Sequence, residues 1–451
     1  MKKFFCGEQG ACKKCGRCKT DGKIRGIFFH KPVQEPEKIP LKQVAEGCRK
    51  QEGYGIAIDI GTTTIAFELF NLQSGESMVA YACINSQRNA FGSDVMTRIT
   101  HAIAGDAVAL HECIVRDLAR GIEQILLQVP KIQEISRIVI CGNTTMLHFL
   151  QNFPVEGLGR YPFTPFSVAG FNGQLSDSTM PEIIKACRNV FILPGVSAFL
   201  GADIVAGLLH CGAGDSTNKN AGIENFLYLD LGTNAEMAVF GGFSEKIYVT
   251  SAAAGPAFEK MRVQNLHPQI VAKCDKFISF NTENHNDMFA ADIITLAAQN
   301  LREGTFNPRD FADFLLAKAA VRAGLEILLA EAGLSCENVA KVFIAGGFGY
   351  KINATDATAV GLFPQGLEDK VFTVGNAALG GAARVLLNLG VTYGIPRALP
   401  NPDIACDTQD GFQTTSKHLT HVDGLARNMT EIPLATHPQF EELFLKNMEI
   451  L

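Results

Sequence analysis

Apolar and polar positions fall into a repeating order from residue 53 onward. In YGIAIDIGTTTIAFELFNLQSGE (54–76) an apolar run closes on a Gly-Thr turn and re-enters a second apolar run. A Ser-Gly turn then leads to a third run, MVAYACI (78–84). Short apolar runs bounded by such turns predict three antiparallel strands. The opening recurs as FLYLDLGTNAEMAVFGG (226–242), with Asp230 lying 171 residues after Asp59. IVICGNTTM (138–146) is echoed by VFIAGGFGY (342–350), each a buried strand meeting a glycine turn and a helix. PGVSAFLGADIVAGLL (194–209) is echoed by VGNAALGGAARVLLNL (374–389), with Gly195/Gly375 and Gly201/Gly381 both 180 residues apart. Three echoes in one order predict a duplicated domain.

Helical spacing takes over between these units. Residues 106–128 and 308–332 read as long helices, and Gly333 suits the C-cap of the second. Each half is thus expected to run three antiparallel strands, long helices, strand, helix, strand and closing helix. Residues 151–189 are loop-like and aromatic, 259–289 are polar with no clear period, and HPQFEELFLKNMEIL forms a short amphipathic ending. The expected units are a Cys-rich segment at 1–30 and a linker at 31–52 with a short helix near Leu41–Gly47. A first lobe at 53–225, a second lobe at 226–395 and a tail at 396–451 follow.

Charge sharpens that division. The first 52 residues hold 13 Lys/Arg against 6 Asp/Glu, whereas the other 399 hold 27 against 40. The overall charge of −6 gives no reason to expect nucleic acid as a partner. With 451 residues, 47% of them hydrophobic, the chain can bury a large core. No segment approaches the roughly 20 continuous apolar residues of a membrane span. The Lys-Lys-Phe-Phe start lacks a signal-peptide apolar region. Thirteen cysteines in so long a chain do not resemble a secreted disulfide scaffold. These features predict a cytoplasmic protein with no membrane partner.

The turns carry the chemistry. In Asp59-Ile-Gly-Thr-Thr-Thr, Gly61 allows backbone N–H groups to approach phosphate oxygens, and Thr62, Thr63 and Thr64 offer hydroxyls. Asp59 can hold Mg²⁺ directly or through water. Asp230, Gly232, Thr233 and Asn234 supply the matching set. Gly346, Gly347 and Gly349 leave room for a base and ribose. One such turn alone is an ordinary hairpin, but the duplicated set predicts an ATP cleft between two lobes. The chain contains no GxxxxGK[ST] and no GxGxxG after a strand, which excludes a P-loop and leaves Rossmann binding unsupported.

DIGTTT, DLGTN and FIAGGFG resemble the phosphate-1, phosphate-2 and adenosine motifs of the actin, heat-shock chaperone and sugar kinase superfamily. CGNTTMLH (141–148), PVEGLGRYPF (154–163), LPGVSAFLGADIVAGLL (193–209), SAAAGPAFE (251–259), LAKAAVRAGLEILL (316–329) and VGNAALGGA (374–382) narrow the likeness. Together they resemble the ATP-dependent reductive activators of corrinoid enzymes, over roughly residues 53–390. The resemblance implies an α/β fold of duplicated ribonuclease-H-like (actin-like ATPase) domains with a nucleotide cleft between them and a small Cys-rich N-terminal segment. It implies return of a corrinoid protein from Co(II) to Co(I), with an N-terminal iron–sulfur domain relaying the electron. Asp59 and Asp230 would be catalytic, with Mg²⁺. The implied partners are a corrinoid protein of a methyltransferase system and an electron donor, with homodimerisation left open. The chain departs from the family at Lys260-Met261-Arg262 and Phe289-Ala290-Ala291-Asp292, where a Gly-rich stretch and a GSG turn are usual.

Cys6, Cys12, Cys15 and Cys18 are spaced x₅, x₂ and x₂, with Cys48 a distant fifth candidate. Cys6, Cys12 and Cys15 resemble a ferredoxin loop, while the local four suit [4Fe–4S] as well as the set with Cys48 suits [2Fe–2S]. Lys13, Lys14, Arg17 and Lys19 would lower thiol pKa values. Only five residues precede Cys6, so a complete ferredoxin domain is not expected. Structural zinc and vestigial, unliganded thiols are the other options. A zinc head would accompany the alternative reading on the same fold, a small-molecule kinase or an ATP-gated regulatory or chaperone-like protein. The remaining cysteines, among them Cys83, Cys113, Cys141 and Cys211, and His148 are expected in the core.

Overall fold

The computed structural model describes residues 53–132, 134–173, 187, 189–213, 224–232, 234–241, 246–254, 261–262, 287–288, 290–346, 352–388 and 419–449. The expected N-terminal segment, linker and Leu41–Gly47 helix lie outside the described residues, as does nearly all of 259–289.

The first three runs form β1 (Tyr54–Ile60), β2 (Thr64–Asn71) and β3 (Ser77–Ile84). They pair antiparallel, with Ile60 opposite Ile65 across the first turn. Helices α1 (Gln87–Phe91), α2 (Val95–His101) and α3 (Ala107–Gln128) follow, α2 and α3 being joined by a π-helical segment at Ala102–Asp106. β4 (Arg137–Gly142) runs parallel to β1, and its exit is capped by Asn143, which starts α4 (Thr144–Leu150). β5 (Phe171–Gly173) and β6 (Val190–Ile192) complete a sheet of order β3-β2-β1-β4-β6-β5, and α5 (Ala202–His210) closes the half.

The second half repeats the plan. β7 (Phe226–Leu231), β8 (Asn234–Phe240) and β9 (Ile247–Ala253) are antiparallel. A two-residue ribbon, β10 (Met261–Arg262) with β11 (Asp287–Met288), precedes α6 (Ala290–Arg302) and α7 (Ala312–Glu331). β12 (Lys341–Ala345), α8 (Ala354–Ala359), β13 (Val371–Gly375) and α9 (Ala377–Asn388) follow. α10 (Leu419–Arg427), β14 (Met429–Glu431) and α11 (Phe440–Met448) end the chain. The sheet order β13-β12-β7-β8-β9-β14 reproduces β6-β4-β1-β2-β3 of the first half, with β14 added at the edge.

Burial explains the hydropathy pattern. Ile56, Ala57, Ile58 and Ile60 are buried because β1 is covered on both faces. In β7, Leu227, Leu229 and Leu231 enter a core under α7, while Phe226 and Tyr228 join the core of the first half. Asp230 therefore shares the face of Phe226 and Tyr228, by the period of two. The amphipathic α11 packs its Phe440, Leu443 and Phe444 on the second core. Gly333 takes a positive φ of 66° after α7, as its C-cap role required.

The halves meet through α5 and α9. A Cβ on Gly381 would strike the carbonyl of Ala206, so the two helices cross in backbone contact. Arg384 Nη1 adds a bond to Leu209 O at 2.9 Å. This corrects one equivalence expected from the 180-residue spacing. Gly201 is the N-cap of α5, whereas Gly381 lies inside α9. The first half has a longer connection between strand and helix, so the helices start 175 residues apart. Among the described residues, no helix is long and apolar enough to cross a membrane.

Candidate functional site

Each half carries an aspartate one residue before the end of its first strand and turns at the glycine that follows the strand. In the first turn Gly61 N donates to Thr64 O at 3.0 Å; in the second Gly232 N donates to Asn234 O at 2.9 Å. A Cβ on Gly61 would lie 2.7 Å from Thr64 O, so the tight turn requires glycine there. The second turn is one residue shorter, since Leu231 pairs with Ala235.

The first turn is held from behind. Asn85 Nδ2 donates to Gly61 O at 3.0 Å, Arg98 Nη2 to Thr62 O at 2.6 Å, and Asn85 N to Thr63 O at 3.0 Å. All three carbonyls thus point into the protein. A trans peptide places C=O and N–H on opposite sides, so the N–H groups of Thr62 and Thr63 point the other way. Among the described residues they have no acceptor. Asn143 Nδ2 donates to Thr62 Oγ1 at 3.0 Å, which leaves that hydroxyl's own proton for an outside acceptor. Such a row of aimed donors is suited to an anion.

Four carboxylates share the site. Asp59 is the penultimate residue of β1, Asp230 the penultimate residue of β7, Asp203 lies in the first turn of α5, and Glu236 sits on β8 directly across from Asp230. Burial raises Asp59 to about 6, although hydrogen bonds with Asn376 and Cys141 act the other way. Burial, then repulsion from Asp59 and Asp230, raises Asp203 to about 7. Burial and Asp59 raise Asp230 to about 6, against a hydrogen bond from Tyr228. Burial, then Asp203, Asp230 and Asp59, push Glu236 well up. Among the described residues none of the four pairs with a lysine or arginine. Clustered negative charge without a counter-charge fits a divalent cation. No three metal-ligating side chains converge on one point among the described residues. Mg²⁺ takes one or two carboxylates and completes its shell with water and phosphate.

The second half reaches into the first here. Asn376, at the start of α9, donates through Nδ2 to Asp59 Oδ2 at 2.8 Å, and its Oδ1 accepts Leu379 N at 2.8 Å. Gly346, with φ of 82°, sits where a Cβ would lie 2.8 Å from Asp230 Oδ1. Cys141 Sγ lies 3.9 Å from Asp59 Oδ1 and donates to Ala378 O at 3.4 Å; burial first, then Asp59, raises its pKa well above the usual thiol value.

The structure thus brings Asp59, Gly61, Thr62, Thr63 and Thr64 into one turn and Asp230, Gly232 and Asn234 into its counterpart, with Gly346 beside Asp230. Thr233, Gly347 and Gly349 lie outside the described residues, as do Cys6, Cys12, Cys15, Cys18 and Cys48. Cys113, Cys141 and Cys211 are buried as expected, while Cys83 is half-buried. His148 is core: its Nδ1 bonds Thr144 O at 2.7 Å, its Nε2 accepts Phe166 N at 3.2 Å, and burial lowers its pKa. Sequence reasoning missed Asn85, Arg98, Asn143, Asp203, Glu236 and Asn376. The available signal was a single polar residue inside an apolar stretch, as in FLGADIVAGLL and NAEMAVF.

Comparisons with known proteins agree with this architecture. Residues 54–216 match the model of the RACo middle region, and residues 224–265 with 268–393 match the C-terminal domain of RACo, the ASKHA domain. The chain is 28% identical over 416 residues to the corrinoid activation enzyme RamQ of Eubacterium limosum, covering 78% of this chain and 68% of that protein. It is 23% identical over 452 residues to the [Co(II) methylated amine-specific corrinoid protein] reductase of Methanosarcina barkeri, covering 87% and 80%. A solved structure of a reductive activator for corrinoid, iron-sulfur protein superposes with a TM-score of 0.66 at 24% identity, covering 90% of this chain and 67% of that one.

Proposed function

The chain belongs to the RACo family, and from that premise we propose that it is an ATP-dependent reductive activator returning a corrinoid protein from Co(II) to Co(I). One observation carries the reading: two glycine turns, each led by an aspartate, share a cluster of un-neutralised carboxylates in a chain whose halves both match RACo regions.

In this proposal Asp59 and Asp230 hold Mg²⁺, which would offset phosphate charge when bound. The N–H groups and hydroxyls of the first turn, with Gly232, Thr233 and Asn234 of the second, bind the phosphates and favour the charge that develops during transfer. Gly346, Gly347 and Gly349 receive the nucleoside. Asp203 and Glu236 border the same space, and Asp203, with its raised pKa, is the candidate to orient and deprotonate a water. α5 and α9, which cross at Ala206 and Gly381, link the halves, so nucleotide contacts made in both turns bias their closure. Only a differential affinity between open and closed forms can drive an unfavourable electron transfer.

The N-terminal cysteines Cys6, Cys12, Cys15, Cys18 and Cys48 are proposed to hold an iron–sulfur cluster, of [4Fe–4S] or [2Fe–2S] type, which when bound supplies a one-electron carrier. The donor set is all cysteine, four at short spacing and Cys48 thirty residues further on, and thiolates are the usual ligands of such clusters. An electron donor reduces the protein, and one electron then passes to Co(II). A cytoplasmic location goes with this role.

The test is reduction of a methyltransferase corrinoid protein, followed by its cobalt spectrum, using anaerobically purified full-length protein, a chemical reductant and ATP. Co(I) should accumulate only when ATP and protein are both present. Equal reduction without ATP, or phosphorylation of a small metabolite instead, would overturn the proposal. Iron and sulfide analysis with EPR tests the cluster separately; zinc in place of iron refutes the relay.

A further inference from the structure

Arg98 stands in α2, outside every motif described above, yet it is fully buried, with 0% of its surface exposed. Its guanidinium ties both ends of α1 to the first turn. Nε donates to Gly92 O at 3.0 Å, Nη1 to Gln87 Oε1 at 3.0 Å, and Nη2 to Thr62 O at 2.6 Å. Nη1 also lies 3.5 Å from Met146 Sδ on α4. Gln87 is itself fixed by Nε2 donating to Leu110 O at 2.8 Å. Among the described residues Arg98 makes no ion pair, and burial lowers its pKa only to about 10, so it stays charged at neutral pH.

A buried, unpaired guanidinium is costly, and its hydrogen bonds to neutral carbonyls only partly offset that cost. Simple packing would be served better by a methionine or leucine. What the charged fork does here is specific: it draws the Thr62 carbonyl inward. Since the peptide is trans, the Thr63 N–H is thereby aimed away from Arg98. The positive charge also lies directly behind that peptide, where it favours an anion without touching it.

We infer that Arg98 is a positioning residue for the triphosphate, presetting the first turn's N–H groups by holding the Thr62 carbonyl from behind. The inference rests on the proposal that this turn binds ATP. It extends the site to a residue that contacts no ligand, on a helix that the nucleotide motifs do not include.

Isothermal titration of the full-length protein with ATP, ADP and adenosine tests it. Arg98→Met removes the fork at similar volume and should weaken ATP binding by about tenfold or more, the effect of one charge-assisted hydrogen bond. Adenosine, which has no phosphate, should bind as it does to the parent. Arg98→Lys keeps the charge with a single donor group and should recover part of the loss. Should Arg98→Met fail to fold, Arg98→Lys decides alone, with an expected severalfold loss of ATP affinity at an unchanged adenosine affinity. ATP affinity equal to the parent's in a folded variant overturns the inference, as does an equal loss for ATP and adenosine. A parent that binds no ATP refutes the nucleotide reading itself. A parent that binds ATP beside variants that bind it equally well refutes only the role of Arg98.

Discussion

Replacing Asp203 by asparagine should stabilise the ligand-free protein while abolishing its ATP-dependent activity. Asp203 rises from 3.8 to about 7 in the folded state, chiefly through burial and then through Asp59 and Asp230. A carboxyl that is harder to ionise when folded costs nothing below pH 3.8, where it is protonated in both states. As pH rises through the window from 3.8 to about 7, the unfolded chain releases the proton first and stability falls. Above that window the loss is constant. Three pKa units at 1.36 kcal/mol each give a ceiling of about 4 kcal/mol at pH 8. The side chain is only half-buried and its charge is shared with three neighbours, so solvent screening brings the expected value to about 2 kcal/mol. Asparagine keeps the Oδ1 that accepts Ile204 N at 3.0 Å, so the local fold survives. The melting temperature of Asp203→Asn, followed by circular dichroism without nucleotide, should exceed that of the parent by about 2–4 °C at pH 8. Near pH 4 the two proteins should melt together. Magnesium ATP should restore the order by stabilising the parent more than the variant. Destabilisation at pH 8, or the same difference at both pH values, would refute the argument that the cluster stores un-neutralised charge.

Thr62→Val keeps the shape of the first turn but removes the hydroxyl oriented by Asn143, and titration should show ATP affinity reduced by about tenfold. Gly381→Leu forces α9 away from Ala206 of α5, and calorimetry should show destabilisation of about 3 kcal/mol or more. Cys15→Ser should lower the iron content of anaerobically purified protein and abolish electron transfer, with ATP binding unchanged by titration.

The strands and the duplication were readable because each strand is bounded by a turn that only a few residue types can make. FLYLDLGTNAE repeats YGIAIDIGTTT closely enough to locate both turns, and β1/β2 and β7/β8 lie where those runs predict. The long helices announced themselves by period, to within a few residues of Ala107–Gln128 and Ala312–Glu331. The pairing of Gly201 with Gly381 went wrong because counting residues cannot detect a longer loop that shifts one helix relative to its copy. Asp203 and Glu236 looked like stray charges in apolar runs, and nothing local says that four carboxylates from β1, β7, β8 and α5 face one another.

By itself, then, the sequence determined the local conformations: where the chain turns at glycine, which faces are apolar, and that one plan occurs twice. Those follow from backbone sterics and the burial of side chains a few residues apart. Only the tertiary structure decided which groups meet across long separations. Asn376 reaches Asp59 from 317 residues away, and Arg98 reaches the Thr62 carbonyl from 36. Such contacts depend on how two sheets and two crossing helices pack, a property of the whole core rather than of any one segment.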